Sequence, residues 1–326
     1  MKRDKLLYPL KFTPILKDKI WGGTKLKTLL HKNSESNVVG ESWEISDMDK
    51  DLSVVANGDL KGETLKSLIA EYKDQLVGKS IYQQFGNSFP LLIKFIDAKE
   101  NLSVQLHPDD ALAKKRHNSF GKTEMWYIMQ ADDNCGIIVG FKDGVTVDDY
   151  NKSLQDDSIE SILNFETVTA GDTFFIKPGL IHAIGKGVVL AEIQQTSDIT
   201  YRVYDYNRED KLGNKRDLHT EEAKEAIDFE GNQDYKINYT SKENQKTTLV
   251  ENKYFKTKEI KLSTVLDLDY SATDSFVIYM NMEGETTISV EGFQETLTVG
   301  ETLLVPACFS RIKLSSNKST LLEVTI

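Results

Sequence analysis

A short pattern that occurs twice constrains the fold of this chain more than any other feature. Residues 170–178 have the sequence Ala-Gly-Asp-Thr-Phe-Phe-Ile-Lys-Pro, and residues 299–306 have Val-Gly-Glu-Thr-Leu-Leu-Val-Pro. In both, a glycine and an acidic residue precede a threonine, an apolar run and a proline. Glycine permits a tight turn and proline ends a strand, so each copy predicts turn, strand and turn. The repeat is typical of two jelly-roll barrels in one chain.

The rest of the chain predicts more strands than helices. Runs rich in β-branched and aromatic residues indicate strands, and apolar residues at helical spacing indicate amphipathic helices. The predicted strands cover 38–46, 89–97, 102–107, 124–129, 136–141, 168–177, 187–195 and 200–206, with a series of short strands from 254 to 326. The predicted helices cover 62–77, 147–163 and 220–227, with a short one capped by Asp109 or Asp110 and running through Arg116. We therefore predict a mainly β fold with a few short helices.

A polar segment over residues 230–247 predicts the domain boundary. It divides the chain into a larger unit with short helical segments, residues 1–240, and a small C-terminal β domain, residues 241–326. After the second copy of the repeat comes Ala307-Cys308-Phe309, which offers no nitrogen or carboxylate ligand. We expect one catalytic, metal-bearing barrel and one structural barrel.

Charge and cysteine usage exclude several classes of protein. The 326 residues include 40 basic and 51 acidic ones, a net charge of −11, which argues against extended nucleic-acid binding. Cys135 and Cys308 form no CxxC pair, so we expect two reduced thiols. No apolar stretch approaches the roughly 18 residues of a membrane helix, and no cleavage site follows the basic N-terminus. These features predict a cytoplasmic protein.

Four residues make a candidate cage for a divalent metal. Gln105 and His107 are two apart in a predicted strand and therefore project to one side. His182 follows a Pro178-Gly179 turn, and Glu124 lies between the two histidine segments. Each of these residues alone is more often an ordinary packed or solvated side chain. Their occurrence together in one barrel favours a metal site.

The type of donor limits the choice of metal. Nitrogen and oxygen ligands without thiolate suit Zn²⁺, and Fe²⁺, Mn²⁺ and Co²⁺ also accept them. The three other histidines, His31, His117 and His219, are interpreted as packed or solvated. A centre that keeps an open position would be catalytic rather than structural.

A second polar segment, residues 192–208, contains Arg202, Tyr204 and Tyr206 on one predicted strand face. For Gln195, Thr196 and Tyr206, a solvated sheet face with cross-strand pairs is as good an explanation as a binding site. Arg202 and Arg208, with Lys94 or Lys122, would make an anion clamp. No P-loop, GxGxxG fingerprint or GxSxG elbow competes with this interpretation.

The chain resembles the type I mannose-6-phosphate isomerases over nearly its whole length, and it is similar to their short bacterial branch. The segments that carry the likeness are Gln105-x-His107-Pro108-Asp109-Asp110, Lys122-x-Glu124-Met125-Trp126-Tyr127, Pro178-Gly179-x-x-His182-Ala183-Ile184-Gly185, Ser197-Asp198-x-Thr200-Tyr201-Arg202, Trp21-Gly22-Gly23 and Glu41-Ser42-Trp43-Glu44. The likeness implies cupin (jelly-roll) barrels and the interconversion of mannose 6-phosphate and fructose 6-phosphate. The expected partner is a small-molecule sugar phosphate, without nucleic acid or membrane, and the protein would be a monomer or dimer.

The resemblance also implies roles for individual residues. Arg202 matches the active-site arginine, Lys122 and Asp198 match pocket positions that contact substrate, and Arg208 stands where longer members tend to have a lysine. The ligands of one Zn²⁺ would be Gln105, His107, Glu124 and His182. We therefore expect Arg202, Lys122 and Glu192 to be catalytic, and Asp198, Arg208 and Lys94 to bind the substrate.

The chemistry of an aldose–ketose isomerase leaves the base open. A proton moves between C1 and C2 through a cis-enediol, so the enzyme needs an acid/base and a means of stabilising an oxyanion. Candidates for the base are Glu192, His107 and a metal-bound hydroxide, while Lys122 would shuttle protons to oxygen. Other classes remain open at this point: an Fe(II) cupin oxygenase, a non-catalytic sugar-phosphate-binding cupin, and an isomerase of glucose 6-phosphate.

Overall fold

The computed structural model describes residues 6–210, 212–229 and 235–326, and in these ranges strands dominate. The strands before residue 210 are β1 (Ile15–Gly23), β2 (Val39–Ile45), β3 (Asp47–Met48), β4 (Asp51–Leu52), β5 (Leu91–Asp97), β6 (Val104–Leu106), β7 (Glu124–Ala131), β8 (Gly136–Phe141), β9 (Leu163–Thr167), β10 (Thr173–Ile176), β11 (His182–Ile184), β12 (Val188–Gln195) and β13 (Tyr201–Tyr204). The later strands are β14 (Lys246–Glu251), β15 (Lys256–Leu262), β16 (Val265–Asp269), β17 (Val277–Gly284), β18 (Thr286–Val290), β19 (Phe293–Leu297), β20 (Thr302–Val305), β21 (Arg311–Ser315) and β22 (Ser319–Thr325).

The helices are short. They are α1 (Lys25–Thr28), α2 (Leu65–Tyr72), α3 (Asp74–Val77), α4 (Lys79–Phe85), α5 (Asp110–His117), α6 (Val147–Gln155) and α7 (Thr220–Ala226), with one 3₁₀ turn at Ile159–Ile162. None in the described ranges is long and apolar enough to cross a membrane.

The described residues form four antiparallel sheets, together with the β3–β4 hairpin. Sheet I has the order β1-β2-β5-β12-β7-β10, and sheet II has β13-β6-β11-β8-β9. Sheet III is β14-β15-β22-β17-β20, and sheet IV is β16-β21-β18-β19. Sheets I and II use strands that precede residue 210, and sheets III and IV use strands that follow residue 245. The predicted mainly β fold with two jelly-roll units is confirmed, while the boundary between residues 240 and 241 stays a prediction.

Sheet I is covered on both faces, which explains why its central strands β5 and β12 are buried at every position. In β5, Ile93 and Phe95 pack in the core shared with sheet III, whereas Ile96 packs in the core shared with sheet II. Lys94 lies between Ile93 and Phe95 in the strand, so its side chain projects from the opposite face, on the side of sheet II. The outer face of sheet II is covered by α6, the 3₁₀ turn and α7.

The repeated sequence pattern forms the same turn twice. Gly171 and Gly300 have φ of +91° and +80°, a conformation that glycine adopts without strain. The following acid accepts a hydrogen bond from the backbone N–H three residues earlier, at 2.9 Å in Asp172 and 2.7 Å in Glu301. The strands that follow, β10 and β20, occupy edge positions in sheets I and III.

The short helix after His107 is confirmed, because Asp109 caps α5 through a 2.8 Å hydrogen bond from the backbone N–H of Leu112. Two longer helix predictions are wrong in extent. The one over 62–77 is broken at Lys73, whose φ is +51°, and the unpredicted α4 follows Gly78. The one over 147–163 ends at Gln155, and the chain then forms the 3₁₀ turn and β9.

Candidate metal centre and active-site cavity

Three directly opposed residues form a row across sheet II. Gln105 in β6 pairs with His182 in β11 on one side and with Arg202 in β13 on the other. Directly opposed residues project to the same face of an antiparallel pair with Cβ atoms about 5 Å apart. Two of the four predicted metal ligands, Gln105 and His182, therefore share one face with the predicted catalytic residue Arg202.

A second row crosses sheet I. Lys94 in β5 is directly opposite Trp43 in β2 and Glu192 in β12, and Glu192 is directly opposite Trp126 in β7. Lys94, Glu192 and Trp126 line the same cavity as the row in sheet II. Sheet I thus presents a cationic side chain, a carboxylate and an indole to this cavity. Sheet II presents Gln105, His182 and Arg202 to the same cavity.

A cluster of three buried side chains could hold a metal ion. One ligand atom each of His107, Glu124 and His182 lies within 4.8 Å of the others, and each residue is 1% exposed. Nδ1 of His107 is 2.8 Å from the carbonyl oxygen of Ile199, and Nδ1 of His182 is 2.8 Å from that of Leu180. Donation of Nδ1–H to these carbonyls leaves each Nε2 free as a ligand, which is the usual support for metal-binding histidines.

The atoms of this cluster lack hydrogen bonds. Within the described ranges, Nε2 of His107, Nε2 of His182 and Oε1 of Glu124 are buried and make none. His107 Nε2 and Lys122 Nζ lie 3.2 Å and 3.1 Å from Glu124 Oε1, close enough for electrostatic attraction. Leaving a buried polar atom unsatisfied costs about 1–3 kcal/mol. Three such atoms converging on one point fit a bound cation, which would satisfy all of them.

The charge states of these side chains also suit a metal. Burial, with the charge of Lys122, lowers the pKa of His107 to about 4, and burial lowers the pKa of His182. Burial by itself would raise the pKa of Glu124, but Lys122 and His107 outweigh it and hold that pKa well below its usual value. Neutral imidazoles and an ionised carboxylate are the ligand forms that bind metal.

Lys94 is a buried cation beside the candidate base. Its Nζ donates to Glu192 Oε1 at 2.9 Å and to Gln194 Oε1 at 2.7 Å. Burial would lower the pKa of Lys94, but Glu192 and Glu41 outweigh it and raise that pKa to about 12. Lys94 therefore stays charged and forms a buried ion pair with the Glu192 carboxylate.

The cavity beside the cluster has a volume of about 340 Å³ and is mostly polar. Seven of the residues predicted from the sequence line it: Lys94, Gln105, Lys122, His182, Glu192, Asp198 and Arg202. His107 and Glu124 are buried and do not line it. Seven of the ten predicted site residues therefore lie on the wall of one cavity.

Arg208 does not line the cavity. Its guanidinium donates to the carboxylate of Asp205 and to the backbone carbonyl of Asn101. Arg216 also pairs with Asp205, with Nε 2.8 Å from Oδ2, and it does line the cavity. Asp205 therefore holds two arginines, and the one that reaches the cavity was not predicted.

The amino-terminal strands supply further lining residues that lacked a predicted role. Trp21, Glu41 and Trp43 line the cavity, and so does Lys19, whose Nζ is 3.2 Å from Glu41 Oε1. Only the likeness of segments 21–23 and 41–44 to the isomerase family pointed to this region. Burial would raise the pKa of Glu41, but Lys94 and Lys19 lower it overall.

Arg202 is anchored by three contacts around its side chain and backbone. Nη1 donates to the carbonyl of Asp217 at 2.8 Å, and Nε donates to Ser103 Oγ at 3.3 Å. Its backbone N–H donates to Nδ1 of His219 at 3.2 Å, which agrees with the interpretation of His219 as a packed histidine. Burial and the neighbouring Arg216 lower the pKa of Arg202.

This fold and this site define an enzyme built on a jelly-roll scaffold, with a buried histidine–carboxylate cluster beside a polar cavity. Comparison with known proteins gives the family. The family model for the type I phosphomannose isomerase catalytic domain matches residues 9–134, and that for the mannose-6-phosphate isomerase cupin domain matches residues 245–325. The chain belongs to the type I mannose-6-phosphate isomerase family, and it is an isomerase.

Individual relatives agree over most of the chain. It is 35% identical to mannose-6-phosphate isomerase of Streptococcus mutans over 303 residues, 91% of this chain and 92% of the relative. It is also 35% identical to mannose-6-phosphate isomerase ManA of Bacillus subtilis over 309 residues, 94% and 95% of the two chains. The crystal structure of the mannose 6-phosphate isomerase from Bacillus subtilis superposes with a TM-score of 0.88 at 32% identity, covering 98% of this chain and 100% of that one.

Proposed function

We propose that this enzyme interconverts mannose 6-phosphate and fructose 6-phosphate through a cis-enediol, with zinc as its cofactor. The observation that carries the proposal is the convergence of three unsatisfied ligand atoms beside a cavity lined by Lys122, Glu192 and Arg202. The names of the Streptococcus mutans and Bacillus subtilis relatives support mannose 6-phosphate as the substrate. A sugar phosphate matches a cavity that combines cationic side chains with carboxylates.

His107, Glu124, His182 and Gln105 would hold the metal. Nitrogen and oxygen donors without thiolate support zinc. A bound divalent cation supplies Lewis-acid polarisation of a substrate carbonyl and stabilises the oxyanion that develops from it. Gln105 joins the set because it is directly opposite His182 and lines the cavity.

Glu192 is the proposed base that moves the proton between C1 and C2. It is 4% exposed, lines the cavity and has one oxygen on Lys94 Nζ and the other on Trp126 Nε1. These two donors fix the orientation of the carboxylate plane. His107 is a weaker candidate, because its Nδ1 bonds to Ile199 and its Nε2 belongs to the metal cluster.

Lys122 and Arg202 act on the sugar oxygens in this mechanism. Lys122 is 5% exposed with Nζ 3.1 Å from Glu124 Oε1, so its ammonium lies at the edge of the metal cluster and can exchange a proton with a substrate hydroxyl. Arg202, in register with Gln105, can share the negative charge that develops on the enediol oxygen. Both residues stabilise charge that is larger in the transition state than in the bound sugar.

The phosphate is assigned to Arg216, which also lines the cavity. Asp198 is the exposed lining residue placed to accept a hydrogen bond from a sugar hydroxyl. Arg208 would act through Asp205, which it shares with Arg216. Lys94 orients Glu192 rather than binding the phosphate directly, because its ammonium already donates to Glu192 and Gln194.

The remaining expectations belong to the same proposal. The first 240 residues would form the catalytic unit and residues 241–326 the structural one. Cys135 and Cys308 are free, which suits work in the cytoplasm.

A coupled assay tests the proposal. Metal-free protein is reloaded with zinc or with iron and offered mannose 6-phosphate or glucose 6-phosphate, and product formation and oxygen uptake are followed. We expect fructose 6-phosphate from mannose 6-phosphate, loss of activity with chelator and recovery with zinc. Turnover of neither sugar by metal-replete protein would overturn the isomerase function, and oxygen consumption by the iron form would favour an oxygenase.

A further inference from the structure

The indole of Trp126 contacts both functional parts of the site. Its Nε1–H lies 3.1 Å from Oε2 of Glu124 and 3.0 Å from Oε2 of Glu192, and the residue is 1% exposed. Building on the proposed function, we propose that Trp126 is a positioning residue whose single N–H sets the metal ligand Glu124 and the base Glu192 relative to each other.

The contacts of the two carboxylates explain why the donor matters. Each carboxylate has one oxygen on a lysine: Glu192 Oε1 is 2.9 Å from Lys94 Nζ, and Glu124 Oε1 is 3.1 Å from Lys122 Nζ. The other two oxygens meet at the indole N–H. The result is a buried chain of cation, carboxylate, neutral donor, carboxylate and cation, in which the donor separates two like charges.

This arrangement also selects the atom that faces the metal. Glu124 uses Oε2 on the indole, which leaves Oε1, the oxygen paired with Lys122, as the one that lies 3.2 Å from His107 Nε2. Without the indole donor, the carboxylate could rotate and offer either oxygen. Groups that orient a metal ligand in this way typically change metal affinity by about 10–100-fold when removed.

The ring of Trp126 makes a second, separable contact. It packs edge-on against the imidazole of His182, with ring centroids 5.3 Å apart and an angle of 83° between the planes. Phenylalanine would keep much of this packing and lose the N–H. Trp126→Phe therefore tests the hydrogen bonds rather than the bulk of the side chain.

Trp43 provides a matched control. It lies on the same row of sheet I and lines the same cavity, but its Nε1–H donates to Glu41 Oε2 at 2.7 Å and to neither Glu124 nor Glu192. Trp43→Phe removes an indole N–H from the same cavity without touching a carboxylate of the metal cluster. Its zinc affinity should stay at the wild-type value.

The experiment measures zinc affinity by competition with a chromogenic chelator, together with kcat and KM at saturating zinc. We expect Trp126→Phe to bind zinc about 10–100-fold more weakly. Because Glu192 also loses its donor, kcat should fall while KM for mannose 6-phosphate changes little. Zinc affinity like that of the wild type, an unchanged kcat, or an equal loss of zinc affinity in Trp43→Phe would each overturn the proposal.

A spectroscopic readout on the wild-type protein avoids dependence on a variant that fails to fold. With the chain's three tryptophans labelled with ¹⁵N, the Trp126 indole N–H signal should move when zinc is titrated, because its acceptor Glu124 becomes a metal ligand. A signal that stays in place as zinc binds would overturn the link to Glu124. These zinc measurements need no substrate, so an absence of isomerase activity in the wild type would count against the proposed function alone.

Discussion

Gln105 lies directly opposite His182 across the antiparallel β6–β11 pair, so an amide and an imidazole share the face that lines the cavity. The amide oxygen accepts a single hydrogen bond, from Ser103 Oγ at 3.2 Å. It therefore retains a lone pair for a metal, and this relationship makes Gln105 the fourth ligand of the proposed centre.

The first prediction concerns that fourth ligand. Gln105→Leu removes the oxygen donor while keeping a strand-compatible side chain. Zinc affinity should fall by at least about tenfold, because loss of a ligand costs more than loss of a group that orients one. Gln105→Glu keeps an oxygen donor and should bind zinc better than Gln105→Leu. Chelator competition checks both variants, and equal zinc affinity in Gln105→Leu and wild type would remove Gln105 from the ligand set.

The second prediction concerns a histidine of the cluster. His182→Ala should lose zinc and isomerase activity together, because one of three converging buried ligand atoms is gone. Zinc content by mass spectrometry and the coupled assay measure the two effects. His117→Ala is the control: His117 is exposed and bonds to the Tyr201 hydroxyl at 2.9 Å, so this variant should keep its zinc. A zinc-replete, active His182→Ala protein would contradict the assigned centre.

The third prediction separates catalysis from metal binding. Arg202→Ala should keep its zinc and its fold but lose turnover by about 10²–10³-fold, as is typical when a donor that stabilises a developing oxyanion is removed. Zinc content, thermal unfolding and kcat are measured on the same preparation. Full turnover in Arg202→Ala would show that the arginine has no catalytic role.

The fourth prediction concerns pH and the carboxylate that holds two arginines. Burial would raise the pKa of Asp205, but Arg216 and Arg208 outweigh it and hold that pKa below its usual value. Its contribution to stability is therefore present above the unfolded pKa, about 3.9, and is lost as pH falls through the folded pKa. Asp205→Asn should unfold about 2 kcal/mol more easily at pH 7, the size expected for lost hydrogen bonds to charged groups.

Urea unfolding at several pH values tests this. The difference between wild type and Asp205→Asn should shrink as the solution is acidified below pH 4. A difference that stays constant down to pH 3 would mean that the carboxylate charge contributes nothing. Asp267→Asn is a suitable control, because the ion pair of Asp267 with Lys313 is exposed and spans 3.8 Å.

Strand alternation and turn chemistry explain which parts of the site were accessible from the sequence. Gln105 and His107 follow from a period of two, and the turn before His182 follows from Pro178 and Gly179. Arg216 could not be found this way, because it lies in an irregular segment between β13 and α7 and reaches the cavity through Asp205. The pairing of Lys94 with Glu192 depends on strand order in sheet I, which no local pattern encodes.

The helices show a similar limit. Apolar spacing over 62–77 correctly indicated helix, but the positive φ at Lys73 divides the segment and has no strong sequence signal. In the segment over 147–163, the apolar residues after Gln155 pack as a 3₁₀ turn and a strand in the core with Tyr150. Tertiary packing overrides helical periodicity in both places.

The most direct test of a zinc-dependent isomerase acting through a cis-enediol is isomerisation of mannose 6-phosphate in D₂O. The zinc-loaded enzyme should release fructose 6-phosphate that carries solvent deuterium at C1. Glu192→Gln should abolish both product formation and deuterium exchange while retaining zinc. Absence of fructose 6-phosphate from zinc-loaded wild type, or full exchange by Glu192→Gln, would contradict the account.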